Sequence, residues 1–217
     1  MSGTTQYIDL DRWPRREQFS FFSAISNPFY SVTFTLDVTG LYHYAHTHGL
    51  SFYYALVYLS TLSINRVEAF RYAIQDGKVV LLDERLPSFT DLKPGSESFH
   101  IVTMPCRGSL AEFCAAAREK SLAQTRFLCQ EAESSALIYF SCLPWVDLTA
   151  LTNEGLTDPD DAIPRIAWGR YREKNGRKVL GFSMELNHRF VDGVHIGKFA
   201  AEMEKLIQEL NHPDASL

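Results

Sequence analysis

The chain has 217 residues, of which 46% are hydrophobic and 22% charged, as is ordinary for a globular protein with a sizeable core. Its net charge of -5, without a basic tract or an arginine stripe, argues against nucleic acid as a partner, because neutralising phosphates requires such a patch. The aromatic share of 13% favours large buried surfaces, a subunit interface or a pocket for flat ligands.

No segment predicts a leader or a membrane span. The first residues, MSGTTQYIDLDRW, lack the charged-then-apolar order of a signal peptide. The most apolar stretch, residues 52–64, is shorter than the ~20 apolar residues that cross a bilayer. The acidic segment 152–164 is the most linker-like part, and we interpret it as an excursion within one domain covering residues 1–217. We therefore expect a cytoplasmic protein with no membrane partner.

Secondary structure is predicted from the period of the apolar residues, which is two in a strand and 3.6 in a helix. In chain order, the patterns predict a strand at 31–37, helices at 39–49 and 51–66, strands at 78–83 and 99–104, a helix at 109–125, strands at 136–142 and 178–186, and a helix at 193–210. Strands and helices alternate irregularly, which indicates an α/β (α+β) fold with a mixed sheet.

Local signals support several of these elements. The dipeptide Asp76-Gly77 predicts a hairpin turn before the strand at 78–83. Thr39 is the predicted N-cap of the first helix, and Ser109 with Glu112 forms a predicted capping box. The final helix carries an apolar stripe that consists of Ile196, Phe199, Met203, Leu206, Ile207 and Leu210.

Motifs of several common chemistries are absent from the sequence. It contains no GxSxG, GxGxxG, P-loop or HExxH pattern, so the corresponding hydrolase, nucleotide and zinc-protease functions lack support. His43, His46 and His48 allow two interpretations, a metal site or a helix end whose dipole suits histidines, and we favour the second. The cysteines lack ligand spacing and are interpreted as small hydrophobes: Cys106, Cys114, Cys129 and Cys142. No metal is expected.

The stretch LNHRFVDGVHIGKF contains the main candidate for chemistry. His188 follows the strand at 178–186 and continues its apolar face if the chain stays extended, while Asp192 and Gly193 precede a helix. A histidine behind a strand is commonly structural, but this turn is also a rigid mount for a general base. Asp192 either orients the ring directly or anchors the loop through a cation elsewhere. The N-terminal DRWPRREQF offers Arg12, Arg15 and Arg16 as cations.

Ser141 is a polar residue inside the apolar strand predicted at 136–142. A buried hydroxyl needs a hydrogen-bond partner, and a reacting oxyanion is one candidate for that partner. Without further context the residue would be interpreted as an ordinary strand serine.

Taken in order, these segments resemble the chloramphenicol acetyltransferase family. NHRFVDG followed by VHIGKF resembles the family's HHxxxDG signature, and DRWPRREQFSFF resembles its N-terminal W-x-R-[RK]-E-x-F segment. SFYYALVYL, FRYAIQDGKVVLLDE, FTDLKPGSESFH, SCLPWVDL and WGRYREKNGRKVL follow in the family's order and spacing. Dihydrolipoamide acyltransferase cores also carry HxxxDG, so the ordered series, which covers nearly the whole chain, selects the family.

The resemblance implies a two-layer sandwich with helices on one side of the sheet and a homotrimer with active sites at subunit interfaces. It implies that neutral His188 takes a proton from an acceptor hydroxyl, which attacks acetyl-CoA in a ternary complex. Ser141 matches the serine that hydrogen-bonds the oxyanion. Asp192 matches an aspartate that pairs with Arg15 and holds the loop.

The resemblance also implies ligand contacts. Those to coenzyme A are Tyr171, Tyr53, Trp145 and Arg170. Those to the acceptor are Phe22, Phe99, Thr90, Tyr30 and Ala167. The sequence departs from the family pattern at Ser51, where a second phosphate-facing lysine is missing, and at Asn187, which replaces the first histidine of the pair. In the acceptor pocket, Phe22, Pro28 and Ala167 replace a tyrosine, a cysteine and a threonine.

The sequence therefore predicts an acetyl-CoA-dependent O-acetyltransferase, with chloramphenicol as the first candidate acceptor and antibiotic resistance as the consequence. Rival interpretations are the same fold acting on another alcohol or thiol, a dihydrolipoamide acyltransferase core, and a non-catalytic homologue that binds a small molecule or CoA. The presence of both His188 and Ser141 argues against the last of these.

Overall fold

A computed structural model of the protein describes residues 5–154, 158 and 160–211. The helices are α1 (Arg16–Ser23), α2 (Thr39–Thr47), α3 (Phe52–Arg66), α4 (Leu110–Ala123) and α5 (Gly193–Glu209), with 3-10 turns at Glu68–Arg71 and Gln130–Ala132. The strands are β1 (Gln6–Tyr7), β2 (Phe29–Asp37), β3 (Tyr72–Gln75), β4 (Lys78–Leu81), β5 (Leu86–Leu92), β6 (Phe99–Thr103), β7 (Leu137–Leu143), β8 (Arg165–Gly169), β9 (Arg172–Lys174) and β10 (Arg177–Asn187).

The large sheet has the strand order β2-β10-β8-β7-β5-β6, with β9 attached to β10. Strand β7 is parallel to both β5 and β8, whereas the other pairs are antiparallel, so the predicted mixed sheet is confirmed. A smaller antiparallel sheet has the order β1-β4-β3. The parallel pairs need long crossovers, which α4 and the segment before β8 supply.

The helices cover one face of the large sheet and enclose the core. Cross-strand neighbours on that face form an apolar row of Met184, Ile166, Phe140, Phe89 and Val102, all of them buried. Helix α3 lies centrally, with most of its residues buried, and contacts α2, α4 and α5. This arrangement confirms the predicted two layers. Among the described helices, none has both the length and the apolarity that crossing a bilayer requires.

The local signals were mostly correct. Asp76 and Gly77, with φ angles of 50° and 72°, connect β3 and β4 as a hairpin, and Ser109 forms the predicted capping box with Glu112. The apolar stripe of α5 is buried as predicted. Thr39 is the first helical residue of α2 and not its N-cap. The Asp37 carboxylate accepts the Thr39 N–H at 3.0 Å and the Thr39 hydroxyl at 2.6 Å.

Several strands carried no clear signal in the sequence. β5 contains Pro87, which weakens a strand pattern, and β8 is a short segment that is buried between β7 and β10. The long strand β10 ends at Asn187, so the extended continuation to His188 was wrong. The linker-like segment 152–164 lies partly outside the described residues.

Arg85 is a fully buried cation that joins separate parts of the fold. Its guanidinium donates to the carbonyl oxygens of five residues: Phe70, Tyr72, Ser135, Leu137 and Ala162. Burial lowers the pKa of Arg85 to about 9, which still leaves it charged at neutral pH. These charge-assisted bonds connect both sheets and the segment that leads into β8.

The face of the sheet opposite the helices carries a close backbone contact at two glycines. Gly169 and Gly181 lie on neighbouring strands, because the preceding pair in the register is Trp168 with Phe182. A Cβ on Gly181 would lie 1.8 Å from the Leu148 carbonyl oxygen, and one on Gly169 would lie 2.6 Å from its nitrogen. The segment around Leu148 therefore sits directly on the sheet, where only glycine leaves room for it.

We expect Gly181→Ala to lower the free energy of unfolding by about 1–3 kcal/mol or more, because the Leu148 backbone must move away. The matched control is Gly197→Ala in α5, where a Cβ meets nothing within 4 Å. That change should stabilise the protein by about 0.5–1 kcal/mol. Urea unfolding of both variants measures the difference, and equal stabilities would contradict the contact.

Candidate active site

His188 is mounted at the turn between β10 and α5. Its N–H donates to the carbonyl oxygen of Pro28 at 2.8 Å, which fixes the backbone against the start of β2. The imidazole lies between two aromatic rings, with centroid distances of 3.9 Å to Phe22 and 4.4 Å to Tyr30. These two rings shield part of the imidazole, which remains about one-third exposed at 34%.

Arg15 clamps this turn through four hydrogen bonds. Both of its terminal nitrogens donate to the Asp192 carboxylate, Nη2 also donates to the His188 carbonyl at 2.9 Å, and Nε donates to the Arg189 carbonyl at 2.8 Å. The Asp192 Oδ1 atom lies 3.3 Å from His188 Nε2. Asp192 therefore has both arrangements considered from the sequence, since it anchors the loop through Arg15 and also faces the ring.

Burial, more than the neighbouring charges, favours the neutral form of His188. Burial lowers the pKa of His188 below its ordinary value of 6.5; the Asp192 charge raises it and the Arg15 charge lowers it. Hydrogen bonds from Arg15 hold the pKa of Asp192 below 3.8, so this carboxylate is ionised at neutral pH. Burial, followed by the Asp192 charge, raises the pKa of Tyr30 to about 12. At neutral pH the site thus holds an uncharged imidazole that can accept a proton.

Asn187 and Arg189 hold the turn from the other side. The Asn187 side chain donates to the Asp161 carbonyl at 2.9 Å and accepts the Arg189 N–H at 3.0 Å. Arg189 is buried and pairs with Asp160 at 3.0 Å. Asn187, which stands where the family pattern has the first histidine of its pair, thus uses both the nitrogen and the oxygen of its side-chain amide in hydrogen bonds.

A second group of predicted residues lines a cavity of about 940 Å³. The group consists of Ser141, Tyr53, Trp145, Thr90 and Phe99. The Tyr53 hydroxyl donates to the Thr90 carbonyl at 2.6 Å, and Phe99 packs edge-on against Phe127. Ser141 is half-buried at this cavity, whereas Ala167, its neighbour on β8, is buried within the sheet.

Tyr171 and Arg170 lie just outside this cavity, beside the segment that contains Trp145. Tyr171 is exposed and contacts the rings of Tyr42 and Phe52. The Arg170 N–H donates to the Val146 carbonyl at 2.8 Å, and its side chain pairs with Asp147 at 3.2 Å. Arg172 approaches the same carboxylate at 3.4 Å. These two arginines place positive charge on this surface.

The structure does not bring the two groups of residues together within one chain. In the strand register, Ser141 on β7 lies opposite Ala167 on β8, and Ala167 lies opposite Ser183 on β10. His188 follows Ser183 by five residues in the direction of β10. Strand spacing and rise therefore separate the Cα atoms of Ser141 and His188 by about 20 Å. Two groups that far apart cannot contact the same reacting carbonyl.

Sequence reasoning missed several residues that shape these groups. Asp147 and Arg172 look like ordinary surface charges, and nothing in their sequence context indicates their shared ion pair. His195 gave a weak signal, because it occupies the third position of a helix where a capping box usually has Glu or Gln. Its Nδ1 accepts the Asp192 N–H at 2.9 Å.

The three histidines of α2 and its C-terminal end do not form a cluster with acidic residues. His48 stacks on Tyr44 and its Nδ1 lies 2.8 Å from the Tyr44 carbonyl oxygen. Within residues 5–154, 158 and 160–211, no group of three or more His, Cys, Asp or Glu side chains is arranged to hold a metal ion.

Comparisons with known proteins agree along nearly the whole chain. Residues 4–204 match the family model for chloramphenicol acetyltransferase. The chain is 25% identical to chloramphenicol acetyltransferase 3 of Escherichia coli, covering 92% of this chain and 95% of that protein. A solved chloramphenicol acetyltransferase structure is 26% identical with a TM-score of 0.86, covering 93% and 99%. A probable dihydrolipoamide acetyltransferase of Listeria monocytogenes 4b F2365, 12% identical with a TM-score of 0.66 over 94% and 96%, shares the fold alone.

We expect the pKa of His188 to lie below 6.5 and to respond oppositely to its two charged neighbours. Asp192→Asn should lower it, because a negative charge is lost and Arg15 is left unneutralised. Arg15→Gln should raise it, because the carboxylate then acts alone. Proton NMR titration of the His188 ring, assigned by its loss in His188→Gln, measures both shifts. A shift in the same direction in both variants would contradict this electrostatic account.

Proposed function

Since the chain belongs to the chloramphenicol acetyltransferase family, we propose that it transfers an acetyl group from acetyl-CoA to a hydroxyl of a small acceptor. Chloramphenicol is the first acceptor to test, because relatives that align with 92% of this chain carry that name. The observation that best supports this function is the neutral imidazole of His188 between two aromatic rings, clamped by Arg15 and Asp192.

In this proposal, His188 is the general base of a ternary complex. Its neutral ring takes the proton from the acceptor hydroxyl while that oxygen attacks the thioester carbonyl of acetyl-CoA. The tetrahedral intermediate then expels the CoA sulfur, and the imidazolium returns the proton to it, so that an ester and free CoA leave. General base catalysis of this kind contributes ~10²–10⁴-fold to the rate.

Ser141 is proposed to donate a hydrogen bond to the oxyanion of that intermediate, a role that contributes ~10²–10³-fold. The proposed contacts to CoA are Tyr53, Trp145, Tyr171 and Arg170. Arg172 adds a second positive charge beside Arg170, on a chain that has Ser51 where the family has a lysine. A CoA phosphate would displace Asp147 from both arginines.

The separation of about 20 Å between Ser141 and His188 supports an active site shared by two copies of the chain. His188 of one subunit would face the cavity that contains Ser141 of its neighbour. We propose a homotrimer, in which each subunit contributes one group of residues to each of two sites. The exposed aromatic side chains at the edge of the cavity, Phe99 and Phe127, suit such a contact.

The acceptor pocket is proposed to contain Phe22 and Tyr30 beside the histidine and Thr90, Phe99 and Ala167 on the neighbouring subunit. Phe22 stacks on His188 without a hydroxyl, so it offers the acceptor an apolar ring alone. This feature supports one alternative, the same chemistry on another alcohol or thiol. A homologue that only binds CoA or a small molecule is the remaining rival.

We expect the purified protein to release CoA thiol from acetyl-CoA in the presence of chloramphenicol. His188→Ala should remove turnover, because no base remains, and Ser141→Ala should slow it by ~10²–10³-fold. CoA binding measured by calorimetry in both variants is the control for folding. Substantial turnover by His188→Ala would disprove the base. CoA binding without drug turnover would redirect the search to other acceptors.

We expect the inactive His188→Ala variant and the slow Ser141→Ala variant to restore activity when they share an oligomer. Mixed subunits of His188→Ala and Ser141→Ala contain interfaces where an intact His188 faces an intact Ser141. The measurement is thiol release after co-refolding, and the control is each variant refolded alone. A mixture that forms mixed oligomers but is no faster than Ser141→Ala alone would contradict a site shared between subunits.

A further inference from the structure

The Asp192 N–H is one of the backbone donors at the start of α5 that the helix itself cannot satisfy. The acceptor is the ring nitrogen Nδ1 of His195, at 2.9 Å. The side chain of the same Asp192 carries the clamp to Arg15 and lies 3.3 Å from His188 Nε2. One residue thus connects the ring of His195 to the ring of the proposed base.

We propose that His195 is a positioning residue for acetyl transfer: its neutral ring fixes Asp192 beside His188, and protonation of that ring releases the clamp. An imidazole nitrogen accepts a hydrogen bond only when it carries no proton. Once Nδ1 is protonated, both it and the Asp192 nitrogen are donors, so the hydrogen bond between them is lost. This inference rests on the proposed function and adds a second ionisation to it.

The surroundings of His195 also make its protonation consequential. It is half-buried and lines a cavity of about 700 Å³ together with charged groups from three segments. These groups are Arg15 from the N-terminal segment, Arg66 and Glu68 from the end of α3 and the turn after it, and Lys198 and Glu202 from α5. Arg66 pairs with Glu202 at 3.1 Å, and Glu68 accepts the Tyr72 hydroxyl at 2.6 Å.

With those two carboxylates engaged, Arg15 and Lys198 are the cations that act on His195, together with the carboxylate of Asp192. Burial lowers the pKa of His195 below 6.5, the Arg15 charge lowers it further, and the Asp192 charge raises it. The pKa values of His195 and His188 are both lowered from 6.5, so both rings are neutral at pH 7. On acidification, both histidines change charge on the same turn.

The test compares His195→Gln with His195→Leu. Glutamine keeps an acceptor for the N-cap amide and does not titrate, whereas leucine offers no acceptor. We expect His195→Leu to be about fivefold to tenfold slower in kcat at about pH 8, and His195→Gln to recover most of that loss. As the pH falls below 6.5 and the ring of His195 takes up a proton, the ratio of kcat/KM for His195→Gln to that of the wild type should rise several-fold, since only the wild type loses the acceptor.

An NMR titration provides a readout that does not need turnover. The Asp192 amide proton and the Arg15 Nε proton should shift with the ionisation of His195 in the wild type. In His195→Gln they should follow only the ionisation of His188, which is titrated separately through its own ring signals. A flat kcat/KM ratio, together with amide signals that follow the same titration in the wild type and in His195→Gln, would overturn the inference. Absence of turnover in every protein would overturn the proposed function instead, and the NMR result would then decide whether His195 controls the clamp.

Discussion

The buried guanidinium of Arg85 is the interaction on which the rest of the structure depends. Its bonds to five carbonyl oxygens join β3 of the small sheet, β7 of the large sheet and the segment that leads into β8. Strand β7 carries Ser141, and the segment before β8 carries Asp161, whose carbonyl holds Asn187 next to His188. Both parts of the proposed active site are therefore connected to one buried cation, whose loss would leave these carbonyls unsatisfied.

At the proposed active-site turn, Arg15 donates hydrogen bonds to backbone carbonyls in the same way as Arg85. The turn after β10 leaves the carbonyls of His188 and Arg189 without a strand partner, and the planar guanidinium satisfies both while it binds a carboxylate. A lysine has no fixed fork and could not hold three acceptors in one plane. The same ion pair also acts on the pKa of His188. Asp192 raises it and Arg15 lowers it, while burial is the largest influence and lowers it.

Aromatic residues have separate tasks in this fold. Those on the helix side of the sheet, such as Phe140 and Trp168, fill the core. Those around His188 shield an imidazole that must still reach solvent or substrate. Those at the cavity edge remain exposed in the single chain, and Trp145 is 70% exposed. Large exposed rings beside a polar site are typical of surfaces that ligands or other subunits cover, so the high aromatic share reflects function as well as packing.

The sequence by itself determined the elements with a strong local period, such as β2, β10 and the stripe of α5, and the capping box at Ser109. Order and spacing of motifs indicated His188, Ser141 and the pairing of Arg15 with Asp192 through a resemblance. Only the tertiary structure decided that this pair also bonds two carbonyls, because its members are 177 residues apart and no local pattern reports such a contact. It also decided the parallel strand β8, the hub at Arg85 and the distance between Ser141 and His188. Periodicity describes neighbours along the chain, whereas these features arise from packing between distant segments.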